Sequence, residues 1–87
     1  MKVRYVVFKS GYVTEDIETG KETTVERKVV NTYDNEMSAI KRLLQLDRIS
    51  EDGFYIETYN YENIADGYFD WVADPDYGIK FARQFPK

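Results

Sequence analysis

Glu57, Asp66, Asp70 and Asp76 are the side chains best suited to moving a proton. Two neighbouring carboxyl groups can push their pKa values apart, so that one donates while the other accepts. Nothing in their spacing fixes two of them in one pocket, and the chain has no His to support them. Such a charge run reads first as solvated carboxylates on strands and turns. Asp70 with "DPD" at 74–76 also offers the hard oxygen ligands that calcium and magnesium take. "DWVADPDYG" lacks the alternating acids, the following Gly and the distal Glu of a calcium loop. Asp before Pro is ordinary turn chemistry, so neither a metal nor another cofactor is expected. Ser10, Ser38 and Ser50 have no His to activate them, and there is no Cys. No Gly-x-Ser-x-Gly, phosphate-loop or dinucleotide fingerprint occurs. The chain is not expected to be an enzyme.

The charge is unevenly laid out. Its net value is −4 over 87 residues, yet residues 1–48 carry nine basic and eight acidic side chains. Residues 49–79 carry eight acidic ones (Glu51, Asp52, Glu57, Glu62, Asp66, Asp70, Asp74, Asp76) and no basic one, and Lys80, Arg83 and Lys87 follow. Within this half, "YNYENIADGYFDWVADPDYG" at 59–78 holds five acids and six aromatic rings. A negative net charge argues against general nucleic-acid binding, which needs a positive field. No apolar run approaches the ~20 residues of a membrane span, and "VRYVVF" is too short for a signal peptide. A cytoplasmic protein is the default expectation.

The elements that must position these groups read as one α+β domain over residues 1–87. "KVRYVVFKSGYV" alternates, with Val3, Tyr5 and Val7 on one face and Arg4, Val6 and Phe8 on the other. Neither face is cleanly polar, which predicts a strand covered on both sides. "TTVERKVV" alternates likewise, and the two should pair as an antiparallel hairpin turned near Gly20. A helix follows, capped by Asp34 or Asn35, with Met37, Ile40, Leu43 and Leu44 on its apolar face. "EDG" at 51–53 ends it. In "FYIETYNY" Phe54, Ile56 and Thr58 share one face, and Tyr55, Glu57, Tyr59 and Tyr61 the other. Asp66-Gly67 echoes Asp52-Gly53 as a turn feeding an aromatic strand. For the next segment a hairpin, strands 68–73 and 79–85 around "DPDYG", is preferred to a helix. Gly67 would weaken a helix by about 1 kcal/mol, and Asp66, Asp70 and Asp74 would repel along it. The order is β-β-α-β-β-β, with one helix packed on a mainly antiparallel sheet.

Two binding modes remain. Lys2, Arg4, Tyr5, Phe8, Arg27 and Lys28 mix charge with rings on the first hairpin, and Lys41, Arg42 and Arg48 add a basic cluster on the helix. That pattern is compatible with single-stranded nucleic acid, although the basic-Gly-aromatic signature of the commonest RNA-binding sheet is absent. The preferred mode is a non-enzymatic protein-binding module. Tyr and Trp dominate interface hot spots, and carboxylates around them suit a basic, nucleic-acid-handling partner. Its expected site is Tyr59, Tyr61, Glu62, Asp66, Asp70, Trp71, Asp74, Asp76 and Tyr77. In size, lack of Cys and His, and segregated acid, the chain resembles small phage-encoded inhibitors, including anti-CRISPR proteins and other nucleic-acid mimics. The resemblance implies an acidic surface that blocks a host enzyme. An exposed strand edge would also let two copies pair, so monomer and homodimer both stand.

Overall fold

A computed structural model describes residues 2–77 and the backbone of Lys80–Phe81. The strands are β1 (Val3–Lys9), β2 (Tyr12–Glu15), β3 (Glu22–Val25), β4 (Lys28–Tyr33), β5 (Phe54–Ala65), β6 (Tyr68–Ala73) and β7 (Lys80–Phe81), and α1 is Glu36–Ile49. The main sheet runs β4-β1-β5-β6 with all pairs antiparallel. The helix lies on one face of it, giving the α+β arrangement that the alternation predicts.

β1 is the central strand, and both its faces are covered. Val6, Val7 and Phe8 are buried in succession, which a strand allows only if each face meets something. On the helix side Val7 packs with Ala39, Leu43, Leu46, Phe54 and Ile56, edged by Tyr5, Val30, Tyr33, Ile40 and Tyr77. On the other side no element among the described residues lies over the sheet, and on this open face Val6 and Phe8 are covered by side chains of neighbouring strands. β5 keeps the predicted faces: Phe54, Ile56 and Thr58 are buried, while Tyr55, Glu57 and Tyr59 are half-exposed.

Four expectations need correction. The first hairpin is not continuous. β1 and β4 pair up to Lys9↔Lys28, then the chain breaks and β2 and β3 pair separately from Tyr12↔Val25. Gly11 makes the break possible: a Cβ there would lie 2.5 Å from the Val25 carbonyl oxygen and 2.9 Å from the Arg27 nitrogen. The predicted alternation through Glu26 to Val30 is lost at this break and at a bulge in β4. There Val29 faces Phe8 and Asn31 faces Val7, leaving Val30 extra. The helix is capped by Asn35, whose side chain accepts from Ser38 N at 3.1 Å. Its buried line is Ala39, Leu43 and Leu46 rather than one starting at Met37, which is 58% exposed. Met37 lies in the first turn, before the helix reaches the sheet.

The remaining two corrections concern the last strands. β6 does pair in a hairpin, but with β5 through the turn at Asp66-Gly67. β7 pairs β5 as well, at Tyr55↔Phe81 and Ile56↔Lys80, on the edge that β6 uses further along. The chain from Asp74 to Tyr77 is therefore an excursion between two strands of the same direction. The physical reason is length: β5 has 12 residues, and β6 leaves its first part unpaired. Asp74 N already continues the ladder by donating to Thr58 O at 2.9 Å. The rest of the predicted strand 79–85 lies outside the described residues. Lastly, Gly67 has φ 71° whereas Gly53 does not adopt a positive φ, so the two Asp-Gly pairs are different devices. Asp52 instead accepts from the Ser50 hydroxyl and pairs with Lys9 at 3.2 Å.

The sheet overruns its core at both ends. β5 passes Asn60, the partner of Val3, by several residues and turns back as β6. At the opposite end β2 and β3 continue beyond β1. A radius of gyration of 16.0 Å against the about 12 Å of a compact chain of this length reflects these two arms. Among the described residues, no helix is long and apolar enough to cross a membrane.

Two substitutions test the core. Leu43 has no exposed surface, so Leu43→Ala should cost about 2–5 kcal/mol, while Met37→Ala should stay within about 0.5 kcal/mol; urea denaturation measures both. Thr58 is 3% exposed, and its hydroxyl has no hydrogen-bond partner among the described residues. Thr58→Val keeps the shape and removes that desolvated group, so it should raise stability by about 1 kcal/mol in the same assay.

Candidate functional site

The period of two in β5 and β6 divides the acidic-aromatic stretch between the two faces of the sheet. Tyr61 pairs with Trp71 and Asn63 with Phe69, which puts these rings on the open face. Glu62 pairs with Asp70 on the helix side, beyond the helix itself, and both are exposed. Two carboxylates directly opposite each other on an antiparallel pair repel.

The open face is a row of rings and cations. Tyr61 stacks with Phe69 at 5.7 Å between centroids and is tilted against Trp71 at 5.0 Å. The Arg4 guanidinium lies 4.0 Å above the Trp71 ring, and Lys2 Nζ is 5.7 Å from the Tyr61 ring. Further along, Phe8 stacks on Tyr55 at 5.5 Å, and Arg27 sits 4.1 Å over Phe8. Arg27 also donates to the Tyr55 hydroxyl at 3.0 Å and forms an ion pair with Glu57. The bonds to Tyr55 and Glu57 hold its proton even more firmly than usual. Tyr59 donates to Glu57 Oε2 at 2.8 Å. Burial, then this bond, pushes its hydroxyl pKa up. Between the two groups lies a shallow hollow of about 230 Å³, lined by Arg4, Val6, Phe8, Val29, Tyr59 and Trp71.

The nine expected site residues thus fall into three groups. Tyr59, Tyr61 and Trp71 share the open face. Glu62, Asp66 and Asp70 line the outer side and tip of the β5–β6 arm, next to exposed Ile64 and Tyr68. Asp74, Asp76 and Tyr77 belong to the excursion. Asp74 Oδ1 accepts from Asp76 N at 2.9 Å, a local turn bond. Tyr77 lies against the core, edge-on to Tyr5 at 6.0 Å, and donates to Glu36 Oε2 at 2.9 Å. Among the described residues, no three His, Cys, Asp or Glu side chains converge to hold a metal ion.

The basic and aromatic residues of the other binding mode divide as well. Lys2, Arg4, Phe8 and Arg27 reach the open face, whereas Tyr5 turns to the helix side, and Lys28 pairs there with Lys9. Sequence reading also missed the acid of the β2–β3 arm. Glu15, Asp16, Glu18 and Glu22 surround one Lys21 there, and Ile17 is 99% exposed. The signal was present in "EDIETGKE", but the bases around it masked it in a total over residues 1–48.

Burial and the Glu36 bond raise the pKa of the Tyr77 hydroxyl far above its ordinary 10.0. The folded state therefore keeps a proton that the unfolded chain releases above about pH 10. The stability this gives is complete below that pH and is lost as the pH rises through the folded value. Tyr77→Phe should cost about 1 kcal/mol at neutral pH, and its Tm should fall less steeply than that of the wild type above about pH 10, as thermal melts would show.

No family model matches this chain, and no curated protein or solved structure matches it either.

Proposed function

We propose that the chain is a non-enzymatic protein-binding module that docks the acidic side of its β5–β6 arm against a basic protein surface. The observation that carries this reading is the Glu62–Asp70 pair, two like charges set opposite each other on an arm that projects past the core. Such a pair costs the free protein stability, and a partner's cation would relieve it. Asp66 at the tip extends the charge, and exposed Ile64 and Tyr68 supply apolar area beside it. Carboxylates around apolar contacts give fast, selective association with a basic surface. A surface built to hold a nucleic-acid backbone has that charge, and covering it would inhibit its owner.

Asp70 has a second task that the test must respect. Its Oδ1 accepts from Trp71 N at 2.8 Å on the outer edge of β6. Asn keeps an oxygen for that bond, so Glu62→Gln/Asp66→Asn/Asp70→Asn removes charge and leaves the edge satisfied. Capture from a cell lysate should yield a protein with a basic surface on the wild type. The triple variant should bind that protein at least about tenfold more weakly, and added salt should weaken the wild-type complex. Equal capture of the same proteins by both forms would sink the reading.

A further inference from the structure

The open face of the sheet is chemically unlike the acidic side of the arm. Its free cations are Lys2 and Arg4, both exposed, and neither has an ion pair among the described residues. The acids near it are Glu57 and Asp34. Glu57 is engaged by Arg27 and Tyr59, while Asp34 borders a hollow beside Arg4 without an ion pair to it. Glu62 and Asp70 point to the other side. The rings next to Lys2 and Arg4 are open to solvent, Phe69 at 49% and Tyr61 at 39%. On one face, then, lie an antiparallel sheet, adjacent aromatic rings and two cations without carboxylate partners.

We propose that this face binds single-stranded nucleic acid, independently of the protein-binding arm. Bases have flat faces that stack on Tyr61, Phe69 and Trp71, and the phosphates between them need cations, which Lys2 and Arg4 supply beside these rings. Arg4 already lies over the Trp71 ring, so its guanidinium adds a cation to the ring surface. The hollow floored by Val6 and Phe8 gives one base an apolar seat beside Tyr59. A duplex is excluded by the same chemistry, because its bases are already stacked and their faces closed. The arms' carboxylates border this face at both ends and limit the strand to a few nucleotides. That differs from a site on the first hairpin and helix: the helix cations and Lys28 lie on the other side of the sheet.

Trp71 is the only Trp in the chain, so its fluorescence reports on the face directly. The full chain is titrated with thymidine and uridine oligomers of about ten nucleotides. Saturable quenching is expected. Two phosphate contacts give a slope of log K against log salt of about −1.4. Lys2→Ala should weaken binding and reduce that slope by about 0.7. Phe69→Ala should weaken binding about tenfold and leave the slope unchanged. Far-UV circular dichroism checks that both variants fold. A preference between the two oligomers would identify RNA or DNA, and either supports the site. No quenching up to about 1 mM strand, where even millimolar affinity registers, would overturn it. So would equal competition by a duplex of the same length, or a salt slope that Lys2→Ala does not change. Loss of a captured protein through Lys2→Ala and Phe69→Ala, with no oligomer bound, would assign the face to protein instead. The Glu62→Gln/Asp66→Asn/Asp70→Asn variant should still bind the oligomers, which separates this site from the arm.

Discussion

Phe8 is buried on a face that no helix covers, and much of the molecule follows from how that is done. The described residues build one 14-residue helix, enough to cover β4, β1 and the first part of β5 on one side of the sheet. The other side must cover its own apolar centre. Arg27 does so by lying over Phe8 while its charge is met by Glu57 and the Tyr55 hydroxyl. Arg4 treats Trp71 in the same way but forms no ion pair among the described residues. A long cationic side chain buries its stem and ring-facing plane while its charge stays wet. The open face is therefore a self-covered surface at one end and an unsatisfied one at the other.

The edges of the sheet are closed by other means. The outward N–H of Trp71 on β6 is taken by the Asp70 carboxylate. β4 carries a bulge at Val30 that distorts its outer ladder. Both devices discourage another strand from adding to the sheet. This bears on the prospect of two copies pairing through an exposed edge: β4 and β6 are poor templates for it. The β2–β3 arm, two strands with little buried surface, depends on Arg27 and the close approach at Gly11 for its attachment.

Alternation in β1 and β5 was legible because both strands run through the core, where burial and period coincide. Val7 and Ile56 face the helix, and Phe8 and Tyr55 face away, as residue types alone suggest. A cap at Asp34 or Asn35 was legible for a local reason, a side chain bonding its own backbone, and Asn35 supplies it. The phase of the helix was less so. Met37 and Ala39 differ in hydrophobicity in the direction opposite to their burial, because a small residue is required where the helix touches the sheet. The partner of β6 was not readable at all. Whether a strand folds back on the one before or the one after depends on which edge is vacant, and no local pattern records that. The same non-local fact moved Tyr77 from an expected surface to the wall of the core.

The stretch 59–78 looked like one surface because its acids and rings are adjacent in sequence. In a strand, adjacency in sequence means opposition in space. Tyr61 and Glu62 are neighbours on the chain, yet one belongs to the open face and the other to the acidic side. What keeps them apart is the register of β5 against β6, since a slip of one residue would exchange the two sets. That register is pinned twice, by Gly67 in a left-handed conformation at the turn and by the bulge between Asn63 and Ala65. A β-branched residue at Gly67 would strain the turn and loosen both surfaces together, although it touches neither. The two chemistries of the arm are thus one structural feature, a hairpin whose pairing fixes which side carries charge and which carries rings.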